Sequence, residues 1–205
     1  MTRTLTPRAT LDGLSSAARI DTVFLPALAP FAPAHWPLVA LLPVLDVNGT
    51  LLAALAARRR FRGAPPIAGV FASDPFLRVA DLAEALLRAG MMEVVNYPTI
   101  QLFGSETAAA FASVGYRAEA EFRLLARLAE RGFAPIACAV SRATADAALA
   151  LGLRRVLVHP GLAAAPRETF WPELAGHVAV EGAEPLAWCD APIDQSSRPR
   201  RRIRL

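Results

Sequence analysis

Short apolar runs alternate along the chain with longer stretches in which alanine, leucine and arginine recur at the helical period. The short runs predict β-strands and the longer stretches predict α-helices. Strands are predicted at Thr22–Leu25, Pro66–Ala72, Met92–Tyr97, Ala134–Val140 and Arg155–His159, with a further candidate at His177–Val180. Helices are predicted at Leu11–Arg19, Gly49–Arg60, Leu77–Ala89, Arg117–Arg131 and Ala143–Leu151.

This alternation indicates βα units and a parallel sheet. Gly90, Gly132 and Gly152 each close a predicted helix just before the next strand, as C-terminal glycine caps do. With 205 residues, the chain is long enough for one domain but shorter than the roughly 250 residues of a complete eight-stranded barrel. We therefore expect an α/β fold, a shortened or incomplete (β/α) TIM-type barrel with parallel strands, over residues 1–190. An Arg-rich flexible tail is expected over residues 191–205.

The positive charge of the chain is concentrated in that tail. The formal net charge is +4, and without Arg198, Arg200, Arg201, Arg202 and Arg204 the balance is −1. The predicted barrel therefore offers no basic surface for nucleic acid, and we do not expect it to bind one. An acidic partner or nucleic acid that contacts the tail alone stays an alternative.

Neither a membrane span nor an oxidising compartment is expected. Residues Leu25–Leu45 contain no charged side chain, but five prolines interrupt them, and the lost amide donors are hard to satisfy in lipid. Cys138 and Cys189 are isolated and match no zinc or redox spacing. No signal peptide is recognisable at the first residues. These features together predict a cytoplasmic protein.

The apolar character of the chain predicts self-association. Apolar residues make up 54% of the sequence, and the mean hydropathy is +0.35. A barrel that lacks a strand would also expose unpaired backbone groups at its edge. We expect a homo-oligomer, most simply a twofold dimer, and light scattering at micromolar concentration tests this, because the mass of a single 21.9 kDa chain would refute it. The aromatic and apolar residues expected at its interface are Phe31, Trp36, Leu38, Phe170, Trp171 and Trp188.

Polar side chains stand at or just after the carboxyl ends of predicted strands, which is where parallel barrels form ligand sites. Asp74 follows the strand Pro66–Ala72, and Asp46 and Asn48 precede the helix that begins near Gly49. Each has a structural alternative, because aspartate before proline and either residue before a helix are typical N-caps.

Three more polar residues occupy the same predicted edge. Asn96 and Thr99 end the strand Met92–Tyr97, and His159 ends the strand Arg155–His159. Asn96 and Thr99 also suit a turn around Pro98. A hydrogen-bonded structural histidine is the alternative to an acid/base or metal-binding role for His159.

Five sequence blocks together resemble the TIM-barrel proteins called the phosphoenolpyruvate hydrolase family, in order and in spacing. The blocks are Leu41-Leu42-Pro43 with Asp46 and Asn48, Gly69–Phe76, Val95–Thr99, Val114–Tyr116 and Val158–Leu162. The resemblance implies a hydrolase or lyase that acts on a small oxygenated acid such as phosphoenolpyruvate or phosphonopyruvate. No cofactor is specified by the residues themselves, although a divalent cation such as Mg²⁺ suits the aspartates.

Residue roles are expected on the same basis. We expect His159 to act as acid/base, Asp74 and Asp46 to orient the substrate or hold a divalent cation, and Asn96 to donate to a developing oxyanion. The residues expected to bind the substrate are Asp46, Asn48, Thr99, Tyr116 and Gly161.

Two departures from the family pattern support a different class of function. Residues Pro26–Pro37 stand where the family has a polar loop with arginines, and Phe111 stands where it has a glutamate. The alternative is therefore a catalytically impaired barrel, a pseudoenzyme that serves as a binding or scaffold subunit beside an intact paralogue.

Overall fold

A computed structural model describes residues 2–39, 45–103, 105–161 and 167–189. Strands and helices alternate through these ranges. The strands are β1 (Thr4–Arg8), β2 (Thr22–Phe24), β3 (Ile67–Gly69), β4 (Glu93–Val95), β5 (Ala134–Ala139), β6 (Arg155–Val158) and β7 (Glu184–Trp188). The helices are α1 (Ser16–Arg19), α2 (Trp36–Val39), α3 (Val47–Ala56), α4 (Val79–Ala89), α5 (Ser105–Ser113), α6 (Ala118–Ala129), α7 (Arg142–Ala150) and α8 (Arg167–Val180). Short 3₁₀ turns lie at Pro26–Leu28, Pro33–His35 and Ile100–Leu102.

The strands form a closed barrel in which every pairing is parallel. Each strand pairs with the next along the chain, and β7 returns to β1 through the pairs Thr4↔Ala187 and Leu5↔Trp188. The predicted TIM-type α/β barrel is confirmed, and it is shortened, with seven strands in the described ranges where a complete barrel of this type has eight. The expectation of an unpaired sheet edge is wrong, because β1 and β7 satisfy each other.

Five of the six predicted strands are confirmed with slightly shorter bounds. The sixth, His177–Val180, is wrong, because these residues form the last turn of α8. Gly182, with φ +73°, turns the chain after this helix, and the strand that follows is β7. Two strands of the barrel, β1 and β7, were not predicted from the sequence. The alternating buried and exposed residues of β1 are too few and too polar to stand out.

The predicted helices are confirmed, except that the first is reduced to one turn. Ser15 caps it, since its hydroxyl accepts from the Ala18 N–H at 3.2 Å. The three glycine caps are also confirmed: Gly90, Gly132 and Gly152 all have positive φ. Helices α2, α5 and α8 are present without having been predicted.

Ion pairs fill the amino-terminal end of the barrel interior. Arg3, Glu93 and Arg155 lie on the same faces of their strands as the buried core residues that point into the barrel. Glu93 pairs with both arginines, at 2.9 Å from Arg3 and 2.5 Å from Arg155. Burial raises the pKa of Glu93, but the Arg3 hydrogen bond and the charges of both arginines outweigh it and hold that pKa below its ordinary value. These pairs tie β1, β4 and β6 together from inside.

Above this layer the interior is apolar, and an aromatic group ends it at the carboxyl side. Tyr97, His159 and Trp188, here called the axial cluster, contact one another with ring centroids 4.3–5.4 Å apart. Gly69 belongs to the same layer, where a Cβ would lie 2.4 Å from Leu25 Cδ2. The carboxyl-terminal end of the barrel axis is therefore occupied by packed side chains.

The aromatic residues expected at a dimer interface differ in burial. Trp36 and Trp188 are buried within the subunit, although Trp188 also lines the groove described next. Phe170 and Trp171 are partly buried, and they line a groove of about 390 Å³ beside Thr4 and Ala187. The dimer and its interface residues stay a prediction.

No helix within the described ranges has the length and apolar character needed to cross a bilayer. The predicted tail, residues 191–205, lies outside the described residues.

Candidate functional site

Polar side chains from the loops after β3 and β4 converge on one buried carboxylate. Glu121, near the start of α6, is fully buried. Its Oε1 atom accepts from the Ile100 N–H at 3.0 Å and contacts Ser73 Oγ at 2.9 Å. Its Oε2 atom accepts from Thr99 Oγ1 at 2.5 Å and from Asn96 Nδ2 at 2.8 Å. Glu121 therefore joins two strand ends to the helix that packs behind them.

Amide orientations in this network follow from the backbone groups of Cys138. Asn96 Oδ1 accepts from the Cys138 N–H at 2.7 Å, so the Asn96 amino group faces Glu121. Gln101 Nε2 donates to the Cys138 carbonyl at 2.8 Å and also to Thr99 Oγ1 at 3.0 Å. A flip of either amide would set oxygen against oxygen or N–H against N–H, so both orientations are determined.

Burial shifts the ionisation of the network. Removal from water raises the pKa of Glu121, and the hydrogen bonds from Thr99, Ile100, Asn96 and Ser73 oppose that shift without cancelling it. Burial likewise raises the pKa of Cys138, and the adjacent carboxyl of Glu121 adds to it. Both shifts favour the neutral, protonated forms of these groups.

Asp74 is held in place from a different helix. Asn48, at the start of α3, donates through Nδ2 to Asp74 Oδ2 at 2.9 Å, and its Oδ1 accepts from the Phe71 N–H at 3.0 Å. The other carboxylate oxygen of Asp74 accepts from the Phe76 N–H at 2.8 Å. One bond to each oxygen leaves lone pairs free on a carboxylate that is only partly buried.

A cavity of about 310 Å³ opens beside this carboxylate. We call it the side cavity, because it lies beside the barrel axis, between the loop after β3 and the turn that joins α5 to α6. The residues with polar side chains in its described lining are Ser73, Asp74 and Tyr116. The described residues that line it are Ala72, Ser73, Asp74, Pro75, Val114, Gly115, Tyr116 and Ala120.

The predicted site residues separate into three groups. Asp74 and Tyr116 line the side cavity, with Asn48 behind Asp74. Asn96 and Thr99 lie one layer deeper and reach the cavity only through Glu121 and Ser73. Neither His159 nor Gly161 is among the described residues that line the cavity.

His159 belongs to the axial cluster and is 3% exposed. The Gly161 N–H donates to His159 Nδ1 at 3.1 Å, so a neutral ring carries its proton on Nε2. Gly161 has φ +74°, which lets the chain fold back to make this bond. This environment corresponds to the structural alternative for His159, and the acid/base role stays a prediction.

Asp46 caps α3, as its structural alternative states. Its Oδ1 accepts from the Gly49 N–H at 2.7 Å, and its side chain is exposed. A Cβ on Gly49 would meet the same carboxylate at 2.0 Å, so a larger residue there would displace the Asp46 side chain from its capping position. Substrate binding by Asp46 stays a prediction.

Sequence reasoning missed Glu121 and Ser73. A signal for Glu121 was present, because it shares the apolar stripe of α6 with Leu124, Leu125 and Leu128 at helical spacing. A carboxylate on such a stripe must be paired with polar partners when the helix packs. Nothing in the local sequence distinguished Ser73 from an ordinary loop serine.

The side cavity supplies few ligands for a metal. In the described part of the chain, no three His, Cys, Asp or Glu side chains come close enough together to hold an ion. Asp74 is the one carboxylate among the cavity residues described above. A Mg²⁺ ion often binds through one or two carboxylates together with oxygens of its substrate and water, so Asp74 suits that mode.

Known proteins resemble this chain at two levels, a family and an individual relative. The family model described as "Phosphoenolpyruvate hydrolase-like" matches residues 34–170, more than half of the chain. The uncharacterized protein y4oT of Sinorhizobium fredii (strain NBRC 101917 / NGR234) is 36% identical over 115 residues. That match covers 56% of this chain and 58% of the relative, so the chain matches little more than half of that protein.

Proposed function

Because this chain belongs to the phosphoenolpyruvate hydrolase-like family, we propose that it is a hydrolase or lyase that binds a small oxygenated acid in the side cavity. The observation that supports this proposal best is the fixed Asp74 carboxylate, which faces a cavity of ligand size together with two hydroxyl groups. About 300 Å³ is the lower end of the volumes typical of small-molecule sites. Phosphoenolpyruvate and phosphonopyruvate are the representative substrates.

Each polar group of the cavity has a role in this proposal. The hydroxyls of Ser73 and Tyr116 donate to oxygens of the acid. Asp74 accepts from a hydroxyl or holds a divalent cation that neutralises the acid. A cation is favoured because the described lining includes no arginine or histidine, and a bare polyanion beside Asp74 would be repelled. Bound Mg²⁺ would supply that neutralisation, with Asp74 as its protein ligand.

Replacing Asp74 by asparagine tests the proposal. We expect turnover of phosphoenolpyruvate or phosphonopyruvate to fall at least about 100-fold, because a neutral amide binds a divalent cation far more weakly than a carboxylate does and has only one accepting oxygen. The Mg²⁺-dependent rise in melting temperature should disappear as well. In the parent protein that rise should be visible, since a ligand at a hundred times its dissociation constant stabilises by about 2.7 kcal/mol.

Asp81→Asn is the matched control. Asp81 lies in the first turn of α4, is half exposed and pairs only weakly with Arg78 at 3.7 Å. Equal turnover in the Asp74 and Asp81 variants would refute the role of Asp74 in binding the acid or its cation.

A second function is supported by the axial cluster. Tyr97, His159 and Trp188 occupy the end of the barrel axis, the place where barrel enzymes gather catalytic residues. A catalytically impaired barrel that serves as a binding or scaffold subunit beside an intact paralogue is consistent with this packing. The scaffold function would be favoured over the enzymatic one if phosphoenolpyruvate, phosphonopyruvate and oxaloacetate, each with Mg²⁺, neither raise the melting temperature nor are turned over.

A further inference from the structure

The buried carboxyl of Glu121 has one oxygen that is fully committed to accepting hydrogen bonds. Oε2 receives Asn96 Nδ2, whose orientation the Cys138 N–H determines. Oε2 also accepts a hydrogen bond from Thr99 Oγ1. The Gln101 N–H and Nε2 both donate to that hydroxyl oxygen, so the Thr99 proton points to Glu121. Donors therefore surround Oε2, and a proton on it would face other protons.

The second oxygen differs because one of its two partners can reverse. The Ile100 N–H can only donate to Oε1, whereas Ser73 Oγ can either donate to it or accept from it at 2.9 Å. A proton carried by Glu121 must therefore lie on Oε1, between that atom and Ser73 Oγ. Ser73 is also one of the residues that line the side cavity.

Surrounding groups favour a proton at this place. Removal from water raises the pKa of Glu121. The titratable groups that face Glu121 from neighbouring elements are the Cys138 thiol of β5 and, across Ser73, the Asp74 carboxyl and the Tyr116 phenol. None of these supplies a positive charge that would stabilise the carboxylate.

We propose that Glu121 and Ser73 form a proton relay that opens into the side cavity, with Glu121 as the proton store and the Ser73 hydroxyl as its outlet. The inference rests on the proposed function for its use, since it adds an acid/base to that site. The relay gives the acid/base role to Glu121 and Ser73, which lie beside Asp74, whereas the sequence predicts that role for His159.

Atoms balance in the transfer. Glu121 Oε1–H donates its proton to Ser73 Oγ, and Ser73 releases its own hydroxyl proton to an oxygen or carbon of the bound acid. Glu121 becomes a carboxylate, Ser73 remains a hydroxyl that now donates to Oε1, and the ligand gains one proton. The reverse sequence removes a proton from the ligand.

Carbon-13 NMR of protein labelled at the glutamate side-chain carboxyls tests the relay without any substrate, and Glu121→Gln identifies the signal. In the parent protein this signal should titrate above the ordinary range of a glutamate and move as one averaged line. In Ser73→Ala the proton has lost its outlet, so the line should broaden or split into protonated and ionised forms. Ser73→Thr, which keeps a hydroxyl, should restore the averaged line.

Thr99→Val is the control for hydroxyl loss. Thr99 also contacts Glu121, but it does not line the cavity among the described residues, so its removal should leave the exchange fast. A Glu121 signal that titrates in the ordinary range, or one that stays averaged in Ser73→Ala, would overturn the relay. If Glu121→Gln fails to fold, the signal is assigned from the Ser73 and Thr99 variants, whose Glu121 carboxyl is intact.

Turnover separates the relay from the proposed function. If phosphonopyruvate or phosphoenolpyruvate is turned over, Ser73→Ala and Glu121→Gln should lose the same limb of the pH profile and about 100-fold or more of the rate. Asp74→Asn should lower the rate at every pH. If the NMR behaviour is as expected but no substrate is turned over, the proposed enzymatic function is refuted and the relay stands. If a substrate is turned over but Glu121 titrates in the ordinary range, the relay is refuted and the enzymatic function stands.

Discussion

Replacing Glu121 by alanine is expected to lower the free energy of unfolding by about 3–5 kcal/mol, because each buried donor left without an acceptor costs about 1–3 kcal/mol. Asn96 Nδ2 and the Ile100 N–H both lose their acceptor, and the removed side chain leaves a hole in a fully buried place. Urea unfolding followed by circular dichroism measures the change. Failure to fold would agree with the prediction.

Glu119→Ala is the control on the same helix turn. Glu119 is exposed, so its removal should change stability by no more than about 0.5 kcal/mol. Similar values for the two variants would show that the Glu121 network contributes nothing measurable to stability.

The same residue should also make stability depend on pH. Because burial raises the pKa of Glu121 in the native state, the native protein holds this proton to a higher pH than the unfolded chain does. Stability from this group is therefore fully present below the ordinary pKa of a glutamate and is lost as pH rises through the native pKa. Glu121→Gln should reduce that loss, since an amide does not titrate.

Replacing Trp188 by alanine should lower the free energy of unfolding by about 3–5 kcal/mol, the usual cost of removing a buried tryptophan. Its ring contacts Tyr97 at 4.3 Å and His159 at 5.3 Å between centroids. Its backbone pairs with Leu5 where β7 closes the barrel on β1. Urea unfolding with tyrosine fluorescence or circular dichroism measures the change.

Phe76→Ala is the control for loss of a large apolar ring. Phe76 is 89% exposed and should tolerate alanine within about 0.5 kcal/mol. If Trp188→Ala lowers the free energy of unfolding by less than about 1 kcal/mol, the axial cluster is loosely packed. The end of the barrel axis would then again be a candidate ligand site.

The position of the candidate site follows from this packing. Interior space near the axis is taken by the axial cluster and by Leu25 and Gly69, where even a Cβ does not fit. Space remains beside the axis, where the small residues Ala72 and Ala120 face the loop of Asp74. The proposals for the acid ligand and for the proton relay both use this off-axis space.

Local signals in the sequence were enough to predict most elements and the type of fold. Alternating apolar runs and amphipathic stretches identified five strands and five helices, because periodicity depends only on neighbouring residues. Gly90, Gly132 and Gly152 marked helix ends for the same reason, since left-handed backbone is a property of single residues. The five family blocks indicated the parallel barrel, and the N-cap alternative for Asp46 was equally local.

Tertiary structure alone decided closure of the barrel and membership of the site. Closure depends on β1 pairing with β7, which joins residues at opposite ends of the described chain. The carboxyl of Glu121 gains its partners from Ser73, Asn96 and Thr99, all more than 20 residues away in sequence. His159 packs against Tyr97 and Trp188 inside the barrel. Asp74 lines the side cavity and is held by a hydrogen bond from Asn48. Such contacts form only when the whole chain has folded, and no local pattern encodes which distant partner a polar side chain will find.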